Sequence, residues 1–118
     1  MTDARLRAVK AGRRGERLAV WRLQLAGWRI LARDWRSPVG EVDIVAQRGK
    51  LLLFIEVKAR GDLGAAGEAI GARQRGRITA AAGLFLARHP QFAACDVRFD
   101  AMLVAPWRWP VHLRDAWR

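Results

Sequence analysis

Hydrophobic and polar positions change period several times along the chain, and each change marks an element. Over residues 3–26 the apolar positions return every three or four, most firmly in LAVWRLQLA. That spacing predicts a helix entered at Asp3 and stopped by Gly27, with Gly12 and Gly15 weakening its first half. WRILARDW, residues 28–35, has the approximate alternation of a strand, and SPVG breaks it. GEVDIVAQ (40–47) predicts a second strand and KLLLFIEVKAR (50–60) a third. The turn between them, at Arg48 and Gly49, is short enough to make the two strands antiparallel neighbours. Leu51 to Val57 is apolar on both faces apart from Glu56, as in a central strand covered from both sides. A long helix follows over 68–88, and Pro90 separates it from a fourth strand, VRFDAMLVA, at 97–105. The tail, WRWPVHLRDAW, suits a further short strand and a packed tryptophan.

The order α, three β, α, β predicts one α/β domain over residues 1–118, a mixed central sheet flanked by helices. The long helix serves as the crossover that brings the fourth strand in parallel. Side chains alternate across a strand, so Glu41, Asp43 and Val45 are expected on one face, with Val42, Ile44 and Ala46 on the other. On the next strand Phe54, Glu56 and Lys58 share a face opposite Leu53, Ile55 and Val57. The hairpin brings Asp43 and Glu56 close if their faces match, and two adjacent carboxylates repel each other. A divalent cation removes that conflict, and Mg2+ or Mn2+ suits such oxygen ligands. Lys58 reaches the same side, where it can orient an attacking water or stabilise charge on a phosphate. Salt bridges from Lys58 to Glu56 or Asp43 would account for the same pattern without any chemistry.

Composition sharpens this picture. The 118 residues hold 22 Lys and Arg against 11 Asp and Glu, a net charge of +11, which favours a polyanionic partner, nucleic acid above all, over a merely solubilising surface. An acidic membrane surface is the competing partner, but no clean basic amphipathic anchor stands out. No apolar run approaches the roughly 20 residues of a membrane span. The basic N-terminal stretch lacks the apolar core of a secretory signal, and Cys95 is the single cysteine, so a reducing, cytoplasmic setting is expected. Glu16, Val20 and Leu23 share a helical face ringed by Arg13, Arg14 and Arg17. Glu16 is therefore either a salt-bridged structural residue or an acid at the edge of a polyanion-binding cleft.

These residues carry a family resemblance over nearly the whole chain. It runs through Gly12-Arg13-Arg14-Gly15-Glu16 and AGWRILARDWR, is sharpest at GEVDIVA and LLLFIEVKAR, and resumes at VRFDAMLV and HLRDAW. The chain resembles the UPF0102 (YraN-like) family, which is similar to archaeal Holliday-junction resolvases and to the PD-(D/E)xK nuclease superfamily. The resemblance implies a restriction-endonuclease-like core and a Mg2+-dependent endonuclease acting on DNA, with branched DNA as a candidate substrate. A nucleic-acid-binding or accessory protein with the same fold and little turnover is the alternative. By the same resemblance Asp43 and Glu56 are metal-binding carboxylates, Lys58 is the active-site lysine and Glu16 is a helix-borne acid completing the metal's surroundings. Gln74 corresponds to a polar residue facing the site, and its spacing from Ile70 and Ile78 independently aims it inward. Val42 stands where the superfamily label has proline. Arg73, Arg75 and Arg77, with Arg13, Arg14, Arg17 and Arg60, form a candidate phosphate-binding rim, which positions a nucleic acid without reading its bases.

Other residues receive blander assignments. Trp21, Trp28 and Trp35 are expected in or beside the core, whereas Trp107, Trp109 and Trp117 stay open between packing and a homodimer interface. His89 and His112 lack the cysteine partners of a zinc site. Cys95 reads as buried or incidental, Asp100 as a support for the sheet or neighbouring basic groups, and Glu41 as a salt-bridged surface residue.

Overall fold

The computed structural model describes residues 3–59 and 70–117, with side chains over 14–58 and 70–117. Helix α1 spans Asp3–Leu25, and strands β1 (Arg29–Ser37), β2 (Gly40–Arg48) and β3 (Leu51–Ala59) follow. Helix α2 (Ala72–Arg88), a 3-10 turn at Pro90–Phe92, β4 (Asp96–Val104) and β5 (Val111–Trp117) complete the chain. The strands form one sheet in the order β1-β2-β3-β4-β5, with β4 parallel to β3 and the other neighbours antiparallel. The mixed sheet, the helical crossover and the strand in the tail are as the hydrophobic pattern predicts.

One face of the sheet packs Ile44, Ala46, Leu53, Ile55 and Met102 against Ala19, Val20 and Leu23 of α1. The other packs Val42, Val45, Leu52, Phe54 and Ala101 against Ile78, Ala81, Ala82 and Phe85 of α2. β3 lies between both layers, which is why its sequence is apolar on both faces. Gly40 opens β2 because α2 passes so close above it: a Cβ there would fall 2.1 Å from the Arg77 carbonyl oxygen. Ser37 braces the same corner, donating to the Gly40 carbonyl at 2.7 Å and accepting from its amide at 3.3 Å.

Three local expectations are corrected. Arg48 pairs with Leu51, so the hairpin loop is Gly49-Lys50, with Gly49 at φ 61 supplying the positive φ that a two-residue turn needs. α2 begins at Ala72 rather than 68; the segment before Ile70 lies outside the described residues. Trp21 is exposed, because α1 turns Val20 and Leu23 to the sheet and leaves the position between them facing out. Trp117, left open between packing and a homodimer interface, is buried in the chain's own core and stacks on Phe99 at 5.3 Å. Trp28 is buried, with Arg48 over its ring, and Trp35 packs edge-on to Phe85, both as expected. Among the described residues no helix is long and apolar enough to cross a membrane.

Candidate functional site

The site forms where β2 and β3 stop pairing. Their ladder runs from Arg48↔Leu51 to Ile44↔Ile55 and ends there. At the next position the Asp43 side chain takes over the backbone's role, its Oδ2 accepting from the Val57 amide at 2.8 Å. Strand alternation fails at this point: Val42 joins Val45 on the α2 face instead of facing α1 with Ile44. The regular period expected across β2 is therefore interrupted at Asp43, whose carboxylate turns toward β3 in the gap between strands.

Glu56 meets it from β3. It is almost fully buried (8% exposed), and its carboxyl is hydrogen-bonded to that of Asp43. Gln74 of α2 donates to Glu56 Oε1 at 3.4 Å, so the inward-facing glutamine expected from helical spacing does reach the pair. Lys58, two residues after Glu56, is near enough to act on it electrostatically. Burial chiefly, then the Asp43 charge and the hydrogen bond to it, push the Glu56 carboxyl up to about 8; Lys58 and Gln74 oppose this. Burial also raises Asp43, against the hydrogen bonds from Val57 and Glu56, and the nearby Asp34 and Glu41 charges add to the rise. Burial and their mutual repulsion therefore favour keeping a proton on the pair. Two buried carboxyls sharing one proton are a poor structural device and a good one for chemistry.

Glu16 approaches from α1. It is half-buried, accepts from Arg33 Nε at 3.3 Å and feels the charge of Asp43. Burial raises its carboxyl above the ordinary value despite Arg33. Among the described residues, no three His, Cys, Asp or Glu side chains converge tightly enough to enclose a metal ion. The donors nevertheless suit a hard divalent cation. Asp43 and Glu56 offer adjacent carboxylate oxygens, and their mutual proton is the kind that a cation displaces.

Asp34 is a site neighbour that periodicity missed. It sits in β1 opposite Asp43, between the pairs Arg33↔Ile44 and Trp35↔Val42, at φ 49, and accepts from Arg36 Nε at 3.2 Å. A polar residue tolerant of left-handed backbone inside ARDW was the available signal. Glu41 is exposed, near Arg36, as a surface glutamate should be. Of the arginine rim, Arg14, Arg17, Arg73 and Arg77 are exposed and Arg75 is half-buried. Arg13's side chain and the whole of Arg60 lie outside the described residues.

Asp100 is a second buried acid, fully enclosed in β4. Arg98 donates to both its oxygens at 2.8 and 2.9 Å, His112 Nε2 lies 2.6 Å away, and the Asp115 amide donates at 2.9 Å. Burial alone would raise it, but His112, Arg98 and that amide together hold it down at about 2. It ties β4 to β5, the supporting role that the sequence suggested. His89 stacks on Phe85 at 4.0 Å and its Nδ1 contacts the Phe85 carbonyl at 2.7 Å, so it caps the core.

The family model for uncharacterised protein family UPF0102 matches residues 15–104. A UPF0102 protein of Parvibaculum lavamentivorans is 50% identical over 113 residues, covering 96% of this chain and 85% of its own. One from Mesorhizobium japonicum is 49% identical over 113 residues (96% and 90% of the two chains). One from Paramagnetospirillum magneticum is 50% identical over 115 residues (94% and 89%).

Proposed function

The chain belongs to uncharacterised protein family UPF0102, and we propose that it is a divalent-metal-dependent endonuclease that hydrolyses DNA phosphodiester bonds. One observation carries this reading: a buried, proton-sharing Asp43–Glu56 pair lies where β2 and β3 separate, with Lys58 beside it. Bound there, Mg2+ or Mn2+ would supply the charge that polarises a phosphate and lowers the pKa of water. Asp43 and Glu56 would hold the cation, and the Val57 amide fixes the orientation of Asp43. Gln74 orients Glu56. Lys58 places a positive charge where negative charge develops on the scissile phosphate. The net charge of +11 and the exposed arginines of α1 and α2 draw and seat the polyanion. The resemblance to PD-(D/E)xK nucleases supports the same assignment, and branched DNA is the substrate that it favours.

A second reading, a nucleic-acid-binding protein with little turnover, draws on Glu16, which is engaged by Arg33 rather than closing on the pair. Purified protein on linear, flapped and four-way DNA, with Mg2+ or Mn2+ and with chelator, separates the two. The nuclease reading predicts metal-dependent cleavage that disappears in Asp43→Asn/Glu56→Gln. Metal-independent binding without cleavage supports the second reading, and cleavage unchanged in the double variant contradicts the assigned site.

A further inference from the structure

The loop between β4 and β5, residues 105–110, has the sequence APWRWP. Trp107 is fully exposed and Trp109 is 51% exposed, with exposed Arg108 between them. Trp107 also holds φ 61, a left-handed backbone that a bulky side chain rarely adopts. Neither feature serves the core. Indoles displayed on a strained turn point to something that covers them.

Strand register locates the loop. Lys58 stands beside Leu103, and Leu103 beside Val111, so the loop leaves the sheet just past the level of Lys58. It shares this end of the sheet with Asp43 and Glu56 and with the β1–β2 turn. α1 reaches the same end, where a Cβ on Gly15 would lie 2.8 Å from Val104 Cγ2; Arg14 and Arg17 flank that contact. The loop joins β4 to β5, so laterally it sits one to two strand spacings of about 4.8 Å from β3. That span is on the order of a few base steps along a nucleic-acid strand.

We infer that Trp107 and Trp109, with Arg108 between them, form a stacking platform for unpaired bases of a nucleic acid lying across the Asp43–Glu56–Lys58 site. This rests on the nucleic-acid partner proposed above and narrows its class to substrates with exposed bases. Aromatic faces take any base, and an interleaved arginine adds phosphate and cation–π contacts. The charge favours this occupant over a second copy of the chain, since a self-contact here would bring Arg108 and the α1 arginines against their equivalents.

The test measures DNA affinity in chelator, where cleavage plays no part. Wild type, Trp107→Ala/Trp109→Ala and Trp107→Phe/Trp109→Phe are compared on a labelled single strand, a flapped duplex and a blunt duplex. The alanine variant should lose about tenfold on the single strand and flap and less than about twofold on the blunt duplex. The phenylalanine variant should recover most of the loss. Equal losses on all three DNAs, or none, overturn the platform while leaving the nuclease reading intact. A wild type that binds no DNA overturns both. Self-association or anionic-vesicle binding that disappears in the alanine variant, with DNA affinity unchanged, assigns the loop to those partners and overturns the inference.

Discussion

The sheet buries two kinds of carboxylate, and they differ in what meets them. Asp100 is surrounded by donors, Arg98, His112 and the Asp115 amide, and is held at about 2. Glu56, one strand away, is paired mainly with another acid and is pushed up to about 8. A buried charge that finds its donors within the fold is structural. A buried acid facing a second acid leaves the conflict for something outside the fold to resolve.

Stability separates the two most strongly. Asp100→Asn strands the Arg98 guanidinium and should cost about 3 kcal/mol, the low end for a broken buried pair because Arg98 keeps partial access to water. Glu56→Gln takes one ionisable carboxyl out of the buried pair while keeping its shape and a donor toward Asp43, and should change stability by less than about 1 kcal/mol. Denaturant unfolding of both variants in chelator reads the difference directly. Equal losses would mean that Glu56 is as structural as Asp100.

Opposite pH slopes follow from the same shifts. Asp100 is depressed in the fold, so its contribution is complete above its ordinary value of 3.8 and is lost as pH falls through about 2. Glu56 is raised, so between 4.5 and about 8 the folded chain binds more protons than the unfolded one. Without metal, stability therefore falls as pH rises across that range. Unfolding free energies measured in chelator should show that decline in wild type and a flatter profile in Asp43→Asn/Glu56→Gln.

A smaller effect is expected at the edge of the pair. The Glu16–Arg33 bridge is partly exposed, at 22% and 46% of the two side chains, so Glu16→Gln should shift stability by no more than about 1 kcal/mol. If Glu16 supports the metal from α1, the same change should lower cleavage by about 10- to 100-fold. Activity and stability moving together would mark Glu16 as structural.

Much of this was legible in the sequence because β2 and β3 are long, strongly patterned and joined by a two-residue loop. Alternation and the hairpin made Asp43 and Glu56 neighbours on condition that their faces matched, with Lys58 on the side of Glu56. The local break at Asp43 was not legible. Period-two reasoning presumes an unbroken ladder, whereas here a side chain replaces a backbone acceptor for Val57. Asp34 was hidden for a related reason, since its place opposite Asp43 depends on register and on a positive φ. Trp21 shows the limit of helical spacing: Val20 and Leu23 are buried, but only the packing decides which neighbour faces out.

The comparison stands or falls on whether the acid pair takes up a cation. Calorimetric titration of Mn2+ into wild type and into Asp43→Asn/Glu56→Gln, at one pH and with both proteins verified as folded, measures this. Saturable binding in wild type, with proton release, and none in the double variant is the predicted result. Equal uptake by both proteins, or none by either, would contradict it.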